Sequence, residues 1–289
     1  MLDKYKNIDG YNIRYRDTEG DGPVLFMTHG IGASLETWDL VAERLPDTVR
    51  VISWDVVNHG LSDFSKQPYG PDDYATLGWS LLNALGVSQV SLMGNSMGGA
   101  ISIRMLSLAP ERVTHIALLN AATLGVETPM PFRLMTLPIL SGLLSKPGKI
   151  AIDNQIKAIF HSSYNASIDV KKVIHRNVMR DGAQKAFADT LKVMTNIKGQ
   201  KRELVEHSLS ILSSTSAPVL FIHGQEDSVI PIRHSIEAAA QTSNAEMISI
   251  DQCGHTPQLE MPQKIVDSLM PFIADTMPES KRAVGPAPI

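Results

Sequence analysis

Short apolar runs that alternate with helical patterns constrain the fold of this chain more than any other feature. The first run, residues 11–16, alternates polar and apolar positions as a half-buried strand does. The later runs are mostly apolar, which is typical of strands buried on both faces of a parallel sheet. The predicted strands span residues 11–16, 24–29, 49–55, 89–94, 113–120, 218–224 and 245–251.

Helical patterns separate most of these strands. They cover residues 34–45, 72–86, 98–110 and 234–241. The first pattern opens at Ser34, a favourable N-cap residue, and the second ends at Gly86, a favourable C-cap residue. This alternation predicts the α/β class, with a doubly wound sheet covered by helices on both faces.

The alternation stops between residues 124 and 215, where no strand pattern is evident. Helical periodicity covers residues 149–161, 169–180, 183–197 and 202–213 instead. We interpret residues 124–215, called the cap below, as a helical insertion into a core formed by residues 1–123 and 216–275. The proline-rich end, residues 276–289, is expected to be a flexible tail.

Composition excludes several classes of function. With 43% hydrophobic residues, 19% charged residues and a net charge of −4, the chain is globular and has no basic patch for nucleic acid. A single cysteine, Cys253, excludes an internal disulfide and a cysteine-rich metal site. The first residues lack the apolar run of a secretory signal, and no run reaches the roughly 20 residues that span a bilayer. We expect a cytoplasmic protein, and the sequence is compatible with a homodimer.

Ser96 lies between a predicted strand and a predicted helix, in the sequence GNSMGG at residues 94–99. A serine held on so sharp a turn needs neighbours without bulky side chains two positions before and after it, and these are Gly94 and Gly98. The turn would expose the hydroxyl at a helix N-terminus, where free N–H groups can bind an oxyanion. The alternative is a glycine-rich turn without chemistry.

A serine nucleophile needs a base and an acid, and both follow later predicted strands. Among nine histidines, His255 lies just after the last strand, and Asp227 lies just after the strand before it. Such positions converge at the carboxyl edge of a parallel sheet, in the chain order serine, acid, histidine. The neighbouring Glu226 leaves an ambiguity of one position, and His29 is expected to brace its loop.

These motifs resemble the α/β-hydrolase family, in its branch of serine esterases and meta-cleavage-product hydrolases, over residues 10–275. The resemblance rests on HGIGAS at 29–34, DVVNHGLSD at 55–63, GNSMGG at 94–99, HGQEDSVIP at 223–231 and GHTPQLEMP at 254–262. One departure is Asn58, where the family usually has glycine. Asparagine is the residue that best replaces glycine at positive φ, so we expect the turn to be retained.

The resemblance implies an eight-stranded, mostly parallel sheet with the cap inserted after the sixth strand. It also implies a catalytic triad of Ser96, Asp227 and His255, with no metal or cofactor. The oxyanion hole would be formed by the backbone N–H groups of Ile31 and Met97, each donor worth roughly 3 kcal/mol.

Candidate substrate-binding residues are harder to assign. Asn95 either tolerates strained backbone or indicates carbon–carbon cleavage, since ring-fission hydrolases contain a similar GNSMGG. Met130 and Met135 are expected either in the apolar core or in an acyl pocket. Arg176 or Arg180 could bind a substrate carboxylate. Thr256 follows the base, where meta-cleavage-product hydrolases usually have tryptophan.

The resulting hypothesis is a serine hydrolase that cleaves esters of short to medium acyl chains through an acyl-enzyme intermediate. Serine at position 96 argues against dehalogenases and epoxide hydrolases, which need a carboxylate nucleophile. The alternatives are a carbon–carbon hydrolase of meta-cleavage products and a lactonase. HGIGAS in place of the usual HGSGPG, and Thr256 in place of tryptophan, argue against the first of these. A non-catalytic binding module is a third alternative, although such proteins usually lack a triad residue.

Overall fold

The computed structural model describes residues 1–137 and 148–276, and these contain the predicted sheet. The strands are β1 (Lys4–Ile8), β2 (Tyr11–Asp17), β3 (Val24–Thr28), β4 (Arg50–Trp54), β5 (Val90–Asn95), β6 (Val113–Leu119), β7 (Thr195–Asn196), β8 (Gly199–Gln200), β9 (Val219–Gly224) and β10 (Ala245–Ile250). The 138–147 segment of the cap and the expected tail from residue 277 onward lie outside the described residues.

The helices alternate with the strands in the core and follow one another in the cap. They are α1 (Asp39–Ala42), α2 (Pro71–Ala84), α3 (Met97–Leu108), α4 (Met130–Leu134), α5 (Lys149–Ile159), α6 (Ile168–Met179), α7 (Ala183–Met194), α8 (Arg202–Ser214), α9 (Arg233–Ala240), α10 (Pro257–Glu260) and α11 (Pro262–Phe272). Short 3₁₀ turns occur at Leu35–Trp38, Pro110–Arg112 and Ala274–Thr276. None of these helices is long and apolar enough to cross a membrane.

The sheet has eight strands in the order β1-β2-β4-β3-β5-β6-β9-β10. β2 pairs antiparallel with both β1 and β4, and the neighbouring strands in the series β4, β3, β5, β6, β9 and β10 pair in parallel. This confirms the α/β fold with an eight-stranded, mostly parallel sheet. Because the parallel strands point the same way, the loops after β3, β5, β6, β9 and β10 meet at one edge.

Alternate side chains of the central strands enter two apolar layers. Phe26 packs on one face of the sheet, with Tyr74 of α2 and Ile101 of α3. Leu25 and Met27 face the other side, in the layer that includes residues of α1 and α11. Successive side chains of a strand point to opposite faces, so uniformly apolar strands require cover on both sides.

Three local features differ from the sequence-based expectation. β1 has no apolar run, since it is an exposed edge strand of sequence KYKNI that pairs with β2. Ser34 does not cap an α-helix, because a 3₁₀ turn follows it and its hydroxyl binds the Glu36 carboxylate instead. The cap contains a small two-stranded sheet, β7 and β8, where no strand was expected.

The helices of the cap pack in two places. Ile152 of α5 and Ile174 of α6 form an apolar cluster that also contains Leu259 of α10, from the core. The last cap helix, α8, lies instead against α3. There the buried Arg104 donates to the Ser208 hydroxyl and to the carbonyl of Leu204, both at 3.0 Å.

Candidate active site

Ser96 occupies the sharp turn between β5 and α3, with φ 56° and ψ −117°. Backbone in this region is strained for a residue with a side chain. The flanking glycines are required by space: a Cβ on Gly94 would lie 2.2 Å from the carbonyl oxygen of Gly98, and one on Gly98 would lie 2.0 Å from that of Thr28. The turn therefore has the steric form expected of a nucleophile.

Two backbone N–H groups beside Ser96 have no partner in the described part of the chain. They belong to Ile31, on the loop after β3, and to Met97, the first residue of α3. Both residues line one cavity together with Ser96. Unpaired donors at a helix N-terminus and on a nearby loop are suited to bind an oxyanion.

His29 braces the loop that carries Ile31. Its Nδ1 donates to the carbonyl of Gly30 at 2.7 Å, and its Nε2 accepts from the backbone N–H of Val56 at 3.2 Å. Burial lowers the pKa of His29 to about 4, so the ring is neutral at physiological pH. Both ring nitrogens are engaged, which leaves this histidine without a role in proton transfer.

Asp227 and His255 meet at the carboxyl edge of the sheet. His255 Nδ1 donates to Asp227 Oδ2 at 2.7 Å, and Asp227 Oδ1 accepts from the backbone N–H groups of Val229 and Ile230 at 2.7 and 3.0 Å. Burial opposes ionisation of Asp227, but the facing His255 and His223 outweigh it and hold the pKa of Asp227 well below its usual range.

The neighbouring Glu226 is exposed and binds the backbone N–H of Cys253. Asp227 is therefore the carboxylate that orients His255, and Ser96 and His255 line the same cavity. Within the described residues the Ser96 hydroxyl forms no hydrogen bond with His255. Such bonds are often long in unliganded enzymes and shorten when substrate binds.

Asn120, which the sequence analysis did not identify, joins Asp227 to the loop that carries His255. It follows β6 with φ 46°, and its Nδ2 donates to Asp227 Oδ2 at 2.7 Å and to the carbonyl of Gly254 at 3.1 Å. A polar residue just after an apolar strand was the signal used for Asp227. The predicted strand 113–120 included Asn120, whereas the observed strand ends at Leu119, so the same signal finds Asn120 only once the strand end is known. His223 adds a ring nitrogen 3.3 Å from Asp227 Oδ2.

Asn95 is buried and forms a bridge from the end of β5 to the backbone of His255. Its Nδ2 donates to the carbonyl oxygens of Leu119, at 3.1 Å, and His255, at 3.0 Å. The residue also lines the cavity. Asn95 therefore has a structural partner on each side, in addition to a position from which it could contact substrate.

The cavity above Ser96 has a volume of about 1120 Å³ and lies between the core and the cap. Its wall is mainly apolar and includes Phe132, Phe187 and Leu191 of the cap. Of the predicted substrate-binding residues, those found in the wall are Asn95, Met135, Arg180 and Thr256. Met130 is absent from the wall that the described residues form, because it is half exposed at the start of α4.

Arg176 is not in this wall either. Its Nη1 donates to Glu36 Oε1 at 2.6 Å and its Nη2 to Glu36 Oε2 at 3.1 Å, which joins α6 of the cap to the loop after β3. The buried Arg14, in strand β2 of the core, donates from Nη2 to Oε1 of the same carboxylate at 2.7 Å. Burial opposes ionisation of Glu36, but Arg176 and Arg14 hold its pKa far below the usual range. The guanidinium of Arg176 is thus occupied by the protein itself, which argues against a substrate-binding role.

Arg180 lies in the cavity wall, and only Nη1 of its guanidinium has a hydrogen-bond partner among the described residues. Nη1 donates to the carbonyl of Gly60 at 2.6 Å, and the guanidinium stacks 4.3 Å from the ring centre of Phe64.

Two further expectations concern Asn58 and metal binding. Asn58 has φ 73°, which confirms the expectation that it replaces glycine at positive φ. In the described residues no group of three or more histidine, cysteine, aspartate or glutamate side chains could hold a metal ion.

The eight-stranded sheet and the turn at Ser96 define the class of α/β hydrolases. In agreement with this, residues 23–262 match the family model described as alpha/beta hydrolase fold. The chain belongs to this family.

Three similar proteins illustrate the range of the family. A 2-hydroxymuconate semialdehyde hydrolase of Pseudomonas sp. (strain CF600) is 28% identical over 267 residues, covering 89% of this chain and 88% of that protein. A meta-cleavage product hydrolase from Pseudomonas fluorescens IP01 has a similar structure (TM-score 0.80, 20% identity, 94% of this chain and 97% of that one). So does a thermophilic esterase from Thermogutta terrifontis (TM-score 0.77, 19% identity, 96% and 100%).

Proposed function

We propose that this hydrolase cleaves carboxylic esters of short to medium acyl chains through an acyl-enzyme on Ser96. The observation that carries the proposal is one cavity lined by Ser96, His255, Ile31 and Met97, in which the last two have backbone N–H groups without a partner among the described residues. Asp227 binds Nδ1 of His255 and leaves the other ring nitrogen for the reaction. Nucleophile, base and oxyanion donors are the parts that acyl transfer requires.

In acylation His255 acts first as a base and then as an acid. Because Nδ1 of His255 donates to Asp227, its Nε2 is free to take the proton of Ser96 as the oxygen attacks the ester carbonyl. The negative charge that forms on the carbonyl oxygen is stabilised by Ile31 N–H and Met97 N–H, and the imidazolium by Asp227. His255 then protonates the leaving alcohol, and a water activated by the same nitrogen releases the acid.

The second candidate is hydrolysis of a carbon–carbon bond in a meta-cleavage product. Arg180 favours it, because an arginine in the wall of the cavity could pair with the carboxylate of such a substrate. The similarity to a 2-hydroxymuconate semialdehyde hydrolase also supports it. Lactone hydrolysis needs the same groups as ester hydrolysis.

A panel of substrates tests these alternatives. We expect p-nitrophenyl acetate and butyrate to be turned over faster than lactones or a ring-fission dienoate, with emulsified long-chain triglycerides the poorest. A dienoate preferred over the esters would support the second candidate and contradict the first. Absence of turnover on the whole panel would support a binding module.

A further inference from the structure

The carboxyl end of cap helix α5 lies directly against the loops that carry Asp227 and His255. Ser228 Oγ donates to the carbonyl of Ala158 at 2.8 Å, and the backbone N–H of His255 donates to the carbonyl of Ile159 at 2.9 Å. The last carbonyl groups of a helix have no partner within it. Here the acid and base loops of the core supply those partners.

Glu260 also stabilises the contact between α5 and the loop that carries His255. Its carboxylate, at the end of α10, accepts from the backbone N–H groups of Gly254 at 3.0 Å and Thr256 at 3.2 Å, the two neighbours of the base. It also accepts from the backbone N–H of His161, just beyond α5, at 2.8 Å. One buried carboxylate therefore binds both the base loop and the cap.

The two backbones also touch without space between them. A Cβ on Gly254 would lie 2.7 Å from the nitrogen of His161 and 2.9 Å from the carbonyl carbon of Phe160. These are backbone atoms, which cannot rotate away. Leu259 adds an apolar contact, since it belongs to the cluster formed by α5 and α6 of the cap.

The peptide groups of His255 are consequently held between cap and nucleophile strand. The N–H binds Ile159 of the cap, and the C=O accepts from Asn95, the residue before Ser96. A shift of α5 relative to the core would move the backbone that carries the imidazole. The distance from His255 to Ser96 thus depends on how the cap is seated.

We propose that Glu260 is a positioning residue for His255. In this proposal the cap forms a wall of the cavity and also fixes the position of the catalytic base. This inference rests on the proposed function, since it assigns Glu260 its effect through the base. A cap that only selects substrates would change the KM of bulky esters. A cap that positions the base changes kcat even for an ester too small to need the cap for binding.

The test compares Glu260→Gln with Glu226→Gln, using p-nitrophenyl acetate and p-nitrophenyl octanoate. Glu226 is a matched control, because it also accepts a base-loop N–H, from Cys253 at 3.1 Å, but it is exposed and its hydrogen bonds within the described residues go to the base loop and not to the cap. An amide at position 260 turns donors toward backbone N–H groups. We expect kcat for the acetate to fall about tenfold in Glu260→Gln, with KM changed less than about twofold. Glu226→Gln should stay close to wild type.

Ser228→Ala provides a milder variant of the same contact, because it removes one exposed hydroxyl and its bond to Ala158. We expect kcat for the acetate to fall about two- to fivefold. Circular dichroism checks the fold of each variant, and Ser228→Ala decides the question if Glu260→Gln does not fold.

The proposal is overturned if both variants keep the wild-type kcat for acetate, or change only the KM for octanoate. Ser96→Ala, measured beside them, separates this failure from that of the proposed function. If Ser96→Ala is inactive while Glu260→Gln matches Glu226→Gln, only the positioning role is wrong. If Ser96→Ala keeps full turnover, the proposed function is wrong and the positioning role falls with it.

Discussion

The core and the cap of this hydrolase obtain their geometry in different ways. In the core, the turn at Ser96 is determined by its immediate neighbours. The backbone packs so closely at Gly94 and Gly98 that neither position has room for a Cβ atom. In the cap, α6 is fixed by Arg176, whose partner Glu36 lies 140 residues away. Local sequence thus determines where the chemistry sits, whereas distant polar pairs determine how the cap sits above it.

The difference predicts that a change in the turn around Ser96 will be more costly than a change at a polar contact of the cap. The largest effect is expected for Gly98→Ala, since its Cβ would meet the carbonyl oxygen of Thr28 at 2.0 Å. We expect thermal or urea unfolding to show a loss of at least about 3 kcal/mol. Gly20→Ala is the control, because its Cβ would find no atom nearer than 3.8 Å. Equal stability of the two variants would contradict the steric account of the turn.

A pH dependence separates a core histidine from a cap histidine. Burial, followed by the nearby His29, lowers the pKa of His59 to about 3, against roughly 6.5 in the unfolded chain. As the pH falls below 6.5, the unfolded state binds a proton that the folded state does not, so the free energy of unfolding decreases. Between pH 6.5 and 5 the decrease due to His59 amounts to about 1.6 kcal/mol.

His59→Asn should therefore flatten the fall in stability over that range, and the same change at the exposed cap residue His175 should not. Asp55 has the opposite effect on the pH dependence. Burial raises its pKa to about 6, so the free energy of unfolding decreases as the pH rises through that value. Urea unfolding at several pH values measures the slopes. Identical slopes for both variants would argue against a buried neutral His59.

Arg176→Ala tests the ion pair that seats the cap. Removing two hydrogen bonds to the largely buried Glu36 carboxylate should cost about 1.5 kcal/mol of stability, since Arg14 remains to neutralise it. Lys172→Ala is the control on the same helix, and its exposed pair with Asp169 should contribute less than about 0.5 kcal/mol. If Arg176→Ala instead left stability unchanged and raised KM only for carboxylate-bearing substrates, Arg176 would be a substrate-binding residue after all.

Asn120→Ala gives the smallest expected effect. The change removes the donor to Asp227 Oδ2, while Val229, Ile230 and His255 still hold the carboxylate. We expect kcat/KM to fall about tenfold, or about 1.4 kcal/mol. Asn244→Ala removes an exposed asparagine that binds the carbonyl of Ser216, away from the site, and should have no effect on turnover.

The sequence predicts much of the core, because strand patterns and flanking glycines act over a few residues. One alternating pattern and six apolar runs indicated seven of the sheet's strands. β1 was missed because an exposed edge strand needs no apolar face. Residues that follow strands converge by topology, which allowed Asp227 and His255 to be paired before their 2.7 Å contact was known.

The cap residues were harder to assign for a physical reason. Helical periodicity places Arg176 in a helix and Arg180 at the end of that helix. It does not indicate which of the two side chains points toward the cavity. That choice depends on Glu36 and Gly60, which lie in distant loops of the core. Likewise, nothing in the local sequence around Glu260 indicates that its partner is His161, 99 residues away.

The central claim, that Ser96 is a nucleophile activated by His255, is tested most directly by a fluorophosphonate, which forms a stable adduct with activated serines. Mass spectrometry of the digested protein should locate a single adduct on Ser96. The adduct should be absent from Ser96→Ala and form far more slowly in His255→Ala. An adduct on another serine, or equal labelling of the wild type and His255→Ala, would contradict the account.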